Sequence, residues 1–285
     1  MIQVHLDCFP CFLQQALIAV RYGTDDVALQ ETILKSTLED IQQADVTEPP
    51  AFTTTFLHRR VRQMLGHDPF RKIKETYNKI ALDLLPSLRK RVEESHNPLW
   101  TASRLSIAGN VIDFGIFTSV DIEGTVRRAL DENMAVDNFD VFQQAVLGAD
   151  DILFLADNAG EIVFDRLLIE ALTNLGKHVT VAVKGSPVIN DCTRKDAEET
   201  GIHNICDVIG NGSDAVGTVL EWTPQSFQKR FHSAGLVISK GQANFETLYS
   251  QNRSMFFLLQ SKCDVLSRAL DLPKGSLILK QHRVE

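Results

Sequence analysis

The chain has 285 residues, 44% of them hydrophobic and 23% charged, which is the balance of a packed globular protein and excludes a disordered or fibrous one. Its net charge of -8, with no long stripe of Lys and Arg, excludes an electrostatic footprint for nucleic acid. No apolar run approaches the roughly 18 residues of a membrane span, and the first residues lack the basic-then-apolar layout of a secretion signal, so no membrane partner and a cytoplasmic location are expected.

Apolar residues recur at helical spacing through the first ~145 positions. Phe9, Phe12, Leu13, Ala16, Leu17 and Val20 mark one stripe; Leu34, Leu38 and Ile41 mark a second. Ile73, Tyr77, Ile80, Leu84 and Leu88 mark a third, which Pro86 is expected to kink or end, because its ring removes a backbone donor. Pro49-Pro50, Asp68-Pro69 and Asn97-Pro98 punctuate these segments. The basic cluster Arg59-Arg60-Val61-Arg62 reads as a solvated helix face. Residues 1–147 are therefore expected to form a helical domain.

After Gly148 short β-rich runs alternate with helical ones. Ile152 to Ala156 precedes a helix over Glu161 to Leu175, and His178 to Val183 precedes one over Asp191 to Thr200. Cys206 to Ile209 precedes Asp214 to Trp222, and Leu236 to Ser239 precedes Gln242 to Tyr249. Ser254 to Leu259 and Ser276 to Lys280 can supply further strands whose place in the sheet the sequence does not decide. The fold class is α/β, with a mainly parallel sheet flanked by helices over residues 148–285 and the all-α part before it.

Parallel strands bring their carboxyl ends to one rim, where open α/β sheets hold ligands. The first run ends on Asp157-Asn158-Ala159-Gly160-Glu161, the second on Lys184-Gly185-Ser186-Pro187-Val188-Ile189-Asn190-Asp191. The third ends on Gly210-Asn211-Gly212-Ser213-Asp214, the fourth on Lys240-Gly241-Gln242-Ala243-Asn244-Phe245-Glu246. Carboxylate and amide oxygens without histidine or thiolate favour Mg²⁺ or Mn²⁺, the lysines offer charge to non-bridging phosphate oxygens, and glycines at helix starts leave N–H groups for an anion. Each residue also has a plainer reading: Asp191 and Asp214 as helix caps, Asp157 and Asn158 as an Asx turn, Glu161 as a favourable charge at a helix start.

Together, Asp157-Asn158-Ala159-Gly160-Glu161 with Asp165, Lys184-Gly-Ser-Pro187 with Asn190-Asp191, Gly212-Ser213-Asp214 and Ser239-Lys240-Gly241-Gln242-Ala243-Asn244 resemble the damage-control phosphatase family, long catalogued as domain of unknown function 89. Asp7-Cys8-Phe9-Pro10-Cys11, Asp68-Pro69-Phe70 and Ala108-Gly109-Asn110-Val111-Ile112-Asp113-Phe114-Gly115 resemble its short microbial branch. The resemblance implies a helical domain packed on a Rossmann-like one and a divalent metal (Mn²⁺, Co²⁺, Ni²⁺ or Mg²⁺) held by Asp157, Asn158 and Asp191. It also implies that Lys240 faces the phosphate, and that Asn110 and Asp113 form an element contributed by the helical part. The implied activity is hydrolysis of small phosphate monoesters, sugar phosphates or damaged phosphometabolites; a carboxyl methyltransferase is proposed only for a distant branch.

On this reading Lys184 shares the charge of the phosphoryl group with Lys240, while Gly212, Ser213 and Asn244 line the substrate side of the rim. Asp113 or Glu161 serves as general acid or base. A haloacid-dehalogenase mechanism is disfavoured, because the second aspartate of that motif would fall on Ala159. A non-catalytic sensor of sugar phosphates or nucleotides using the same crevice stays open. No Gly-x-Gly-x-x-Gly follows any predicted strand, which argues against a nucleotide-dependent dehydrogenase. The five cysteines do not make a disulfide framework; Cys8-x-x-Cys11 is half of a tetrahedral metal site, and burial as small hydrophobes, an accessory metal or a redox role are all compatible with it.

Overall fold

The computed structural model describes residues 2–111 and 122–283. Asp113, with Ile112, Phe114 and Gly115 of its motif, lies outside the described residues. Three helices come first, α1 (Cys8–Gly23), α2 (Val27–Gln42) and α3 (Pro50–Leu65). They share a core of their own built from Phe12, Ala16, Val20, Ile33, Leu57 and Val61. The Asp26 carboxylate accepts from the Ala28 and Leu29 N–H groups at 2.9 and 3.2 Å and so caps α2, while α3 opens on Pro50, whose missing N–H costs nothing at that position.

Next come α4 (Arg71–Glu93), α5 (Pro98–Val111), α6 (Ile122–Asp131), the short strand β1 (Val136–Asp137) and α7 (Phe139–Gly148). The alternating part then runs β2 (Asp151–Leu155), α8 (Glu161–Asn174), β3 (His178–Val183), α9 (Arg194–Glu199), β4 (Asp207–Gly210) and α10 (Gln225–Ser233). It closes with β5 (Leu236–Lys240), α11 (Gln242–Leu248), β6 (Met255–Gln260), α12 (Asp264–Leu270) and β7 (Leu277–His282). The expected boundary between residues 147 and 148 falls at the last residue of α7.

The seven strands lie in the order β1-β7-β6-β5-β2-β3-β4, all neighbours parallel except β6 and β7. The chain winds outward from β2 through β3 to β4, then returns to lay β5 and β6 on the other side of β2. The carboxyl ends of β2 and β5 therefore diverge at a topological switch point, where an open α/β sheet leaves a crevice. Strand side chains alternate between two cores, as the pleat requires. Ile152, Phe154, Val181 and Ile238 face α4, α5 and α8, and Leu153, Leu155, Val237 and Phe257 face α10, α11 and α12. Each such buried Leu, Ile or Phe contributes about 1.5–3 kcal/mol of apolar transfer.

Several elements differ from expectation. Helix α4 runs through Pro86 without a break, because Tyr77, Ala81, Leu85, Leu88 and Val92 bury one long face in the sheet core and outweigh the local cost of about 3 kcal/mol. No helix forms over Asp214 to Trp222 beyond a single 3₁₀ turn at Leu220–Trp222. Its backbone donors go instead to side chains: Ala215 N–H to Ser213 Oγ, Val216 N–H to Thr55 Oγ1 and Thr218 N–H to Thr247 Oγ1. The arginine cluster on α3 is not simply solvated, since Arg59 and Arg62 clamp Asp214, and Arg60 grips Asp40. Leu13, Leu38 and Ile80, read as stripe positions, point outward. Strand β1 inside the helical half and helix α12 carry little periodic signal and follow from the sheet they complete, whereas α10 is marked by Phe227 and Phe231, one turn apart on its buried face.

Gly109 lets α5 and α8 touch. A Cβ there would stand 2.7 Å from Phe164 Cβ, with no room to move in a packed core. Gly109→Ala is expected to destabilise the fold by about 1–3 kcal/mol, read as a lower urea midpoint at unchanged slope; an unaltered midpoint would contradict this helix contact.

Candidate metal and phosphate site

Asp157 and Asn158 follow β2 directly, and the turn that carries them is laced to the loop after β3. Cys192 N–H donates to the Asp157 carbonyl at 2.7 Å and Ala159 N–H to the Asn190 carbonyl at 2.9 Å, so Asn158 and Asp191 sit opposite one another as a β-bridge. Thr193 and Asp196 form the capping box of α9, which leaves Asp191 free of any capping duty. Gly241, at the end of β5 with φ of 80°, closes the other side. A Cβ on it would lie 1.9 Å from Asp157 Oδ2, so only glycine leaves space for that carboxylate.

A buried polar chain holds these groups. Asn110 on α5 donates its amide to Asp157 Oδ2 at 3.1 Å and to Glu161 Oε2 at 2.9 Å, and Asn158 Nδ2 reaches the same two oxygens at 2.8 and 2.9 Å. With its nitrogen fixed in this way, Asn158 keeps Oδ1 for another partner. Glu161 Oε1 accepts from Lys240 Nζ at 2.8 Å; that ammonium also donates to Asp165 Oδ1 at 2.5 Å and to the Ser106 carbonyl at 2.8 Å. Full burial favours a neutral lysine, yet the charges of Asp165 and Glu161 hold Lys240 above its ordinary range. Burial pushes the Asp165 carboxyl up to about 7, against the pull of Lys240 and with the added repulsion of Glu161.

The site residues thus fall into two sets. Asp157, Asn158 and Asp191 line a cleft of about 530 Å³ between the first helices and the sheet rim. Lys240, Glu161 and Asn110 stand behind them, fully occupied by one another and by the Gln260 N–H that Asn110 Oδ1 accepts. Lys184 is buried as well, donating to the Gly217 carbonyl and lying 3.3 Å from Asp191 Oδ2. Gly212, Ser213 and Asn244 do not line the cleft. Gly212, with φ of 72°, packs on Pro224, and Ser213 Oγ closes its own turn onto Ala215. Asn244 Nδ2 donates to the Lys240 carbonyl, tying α11 to β5, and its Oδ1 accepts from the Thr218 hydroxyl.

Asp157 and Asp191 suit a hard cation. Burial pushes both carboxyls up, Asp157 well above its ordinary value with Glu161 and Asp191 repelling it, Asp191 less so because Lys184 opposes the rise. Despite the nearby Lys184, Asp191 Oδ2 has no hydrogen-bond partner. Two crowded carboxylates, one of them with a buried oxygen that has no hydrogen-bond donor, and an amide oxygen are the kind of donor set that could hold an oxygen-bound divalent ion. Among the described residues no group of three or more His, Cys, Asp and Glu side chains is gathered to hold a metal.

Sequence reasoning missed Lys262, which lines the cleft and whose charge draws the Asp157 pKa downward. It follows β6, on the same rim as the other strand ends, but its relevance needed the strand order. His58 on α3 also lines the cleft, with its ring 5.9 Å from that of Phe70 and Nε2 without a partner.

Fold and site together define a mainly parallel α/β protein with an acidic, oxygen-rich crevice at the switch point, lined also by Lys262. Residues 4–278 match the damage-control phosphatase ARMT1-like domain, and the chain belongs to this family. It is 30% identical over 286 residues to a damage-control phosphatase of Pyrococcus horikoshii, covering 99% of both chains. A second damage-control phosphatase, from Archaeoglobus fulgidus, is 30% identical over 281 residues, 96% of this chain and 97% of that one. An uncharacterized protein of Methanocaldococcus jannaschii is 33% identical over 289 residues, 98% and 95% of the two chains. The crystal structure of the Pyrococcus horikoshii protein, a DUF89 family member, superposes with a TM-score of 0.92 over 99% of this chain and 100% of that one.

Lys240 should behave as a structural charge. Lys240→Met strands Glu161 and Asp165 without a counter-charge and is expected to cost about 3–5 kcal/mol of stability; adding Asp165→Asn should recover part of it, and urea unfolding of both variants decides. His58 supplies the pH dependence. Burial, with the Arg62 charge added, pushes its pKa down from 6.5 to about 3, so the unfolded chain binds a proton below pH 6.5 that the folded one refuses. The contribution of His58 to stability is therefore complete above 6.5 and falls as the pH drops toward 3, by about 2 kcal/mol between pH 7 and pH 5, while the raised carboxyls of Asp165 and Glu246 act in the opposite direction. His58→Phe should flatten this limb of a urea-midpoint profile, and an unchanged profile would remove His58 as its cause.

Proposed function

We propose that the protein is a metal-dependent phosphatase that hydrolyses small phosphate monoesters, sugar phosphates or damaged phosphometabolites. The observation that carries this reading is the crowding of Asp157 and Asp191, both pushed toward protonation by burial, against an open cleft that also presents Lys262. A divalent cation there (Mn²⁺, Co²⁺, Ni²⁺ or Mg²⁺) would be held by Asp157, Asn158 Oδ1 and Asp191. Bound, it would neutralise charge on the phosphoryl oxygens and lower the barrier to attack by water.

The chain's own residues do the rest. Lys262 meets the non-bridging oxygens of the phosphoryl group as a point charge. Asn110 and Asn158 hold Asp157 Oδ2 in one orientation, and Glu161, with both oxygens engaged, positions those amides rather than moving a proton. Lys240 and Lys184 act through Glu161 and Asp191 respectively. Asp113 is the carboxyl proposed to handle the proton of the leaving group. A cleft of about 530 Å³ suits a small metabolite rather than a macromolecule.

The test is a matrix of phosphate esters against the four metals with purified protein. Asp157→Ala is expected to lower metal-stimulated turnover by at least about a hundredfold while circular dichroism stays native. Retained turnover in that variant, or phosphate-ester binding with no turnover under any metal, would sink the proposal.

A further inference from the structure

Several polar groups of the cleft wall are spent on the protein itself. Thr54 Oγ1 donates to the Pro50 carbonyl at 3.0 Å, Gln242 Nε2 donates to Glu246 Oε1 at 2.8 Å and to Cys263 Sγ at 3.1 Å, and Gln242 Oε1 accepts the Lys262 N–H at 3.1 Å. Among the described residues that line the cleft, two buried side-chain atoms have no hydrogen-bond partner, Asp191 Oδ2 and His58 Nε2. The first belongs to the proposed cation ligands; the second has no part in them.

Helix α3 turns Ala51, Thr54 and His58 to the cleft at the i, i+3 and i+7 spacing of one helix face. The same wall carries Phe12 and Ile18 of α1 and Phe70 at the cap of α4, all packed in the core of the first helices, and the Phe70 ring centre lies 5.9 Å from that of His58. Burial, with the Arg62 charge added, holds the His58 pKa at about 3, so near neutral pH the ring is uncharged, with one N–H and one bare nitrogen. Such a ring neither gives nor takes a proton there, which removes it from acid–base work. It offers no charge to a second phosphate, and the Arg62 charge disfavours an ammonium beside it. A hydroxyl suits it in either tautomer, because an O–H both donates and accepts.

We propose that His58 is a specificity-determining residue, its Nε2 hydrogen-bonding a neutral hydroxyl on the carbon skeleton of the ester while the carbon face of that skeleton packs on Phe12, Ile18 and Phe70. The inference rests on the phosphatase reading and narrows its substrates to phosphate monoesters of polyhydroxy alcohols. The phosphoryl group lies at the rim of Asp157, Asn158 and Asp191, so one cleft reads both ends of the molecule. A nitrogen left unpaired in an apolar wall is unfavourable, and the hydroxyl removes that cost. An alkyl ester of the same length fills the same space but leaves the nitrogen unpaired, and so binds less well.

Steady-state kinetics of the full chain with its best metal test this on matched pairs, glycerol 1-phosphate against propyl phosphate and ribose 5-phosphate against pentyl phosphate. In at least one pair the wild type should favour the hydroxylated ester in kcat/KM by about tenfold. His58→Phe, which keeps a ring of similar volume without the nitrogen, should erase this preference by raising KM for the hydroxylated ester about tenfold at little cost in kcat, with the alkyl-ester values moving far less. His58→Gln, which keeps a neutral donor and acceptor, should restore most of the preference. Equal wild-type kcat/KM within both pairs overturns the inference, leaves the phosphatase reading intact and needs no variant to fold. A preference that survives in folded His58→Phe overturns it too and marks a nitrogen paired with bound water alone; an equal loss for both members of a pair marks a structural role and does the same. Turnover of no ester under any metal fells both readings.

Discussion

The charge of Lys240 constrains everything around the cleft. An ammonium with no access to water must be paired and hydrogen-bonded or it is expelled. Here Asp165, Glu161 and the Ser106 carbonyl surround it, drawn from α8 and α5, so the strand β5 cannot shift without unpairing three elements at once. The same pairing orients Glu161, which orients Asn110 and Asn158, which in turn hold Asp157. Rigidity at the rim is thus supplied from inside the protein. Such a network yields little net stability, because desolvation offsets most of its attraction, but it fixes one arrangement of side chains.

The sheet topology decides where this network opens to solvent. Returning β5 and β6 to the free side of β2 leaves a gap above the carboxyl ends of β2 and β5. Asp157 stands at one lip and Gly241 at the other, so close that any side chain in place of the glycine would occupy the carboxylate's position. The helices α1 and α3 roof the gap, and Arg59 and Arg62 on α3 bind Asp214 beyond β4 to hold that roof in place. An amino-terminal helical layer alone would not make a cleft; its ion pairs to the rim do.

Much of this was legible in advance. The runs of β-branched and aromatic residues that became β2, β3 and β5 are buried on both faces, which makes them continuous apolar strings rather than alternating ones, and their polar ends marked the rim. Asp157, Asn158 and Asp191 are visible as oxygen-bearing side chains at those ends, the resemblance to damage-control phosphatases grouped them, and all three line one cleft. The direction of Lys240 is also latent in the pleat, since it lies two residues beyond Ile238 and so faces the same α5 and α8 core. Asn244 and Ser213 look the same in sequence as ligand-facing polar residues. Only the positions of Thr218 and the Ala215 N–H show that their hydrogen bonds are used within the fold.

The sequence by itself determined the class of fold, the family and the oxygen-rich character of the rim, because each depends on residue type and local period. The tertiary structure alone decided which of three strand-end lysines lines the cleft. Lys240, Lys184 and Lys262 carry the same charge, but Lys240 and Lys184 are turned inward toward buried carboxylates and carbonyls, whereas Lys262 lines the cleft. It also brought His58 and Asp191 to one cleft from more than a hundred residues apart in the chain. The physical reason is common to both. Where a side chain points is fixed by the partners that strand order and helix packing place around it, and those partners are distant in sequence.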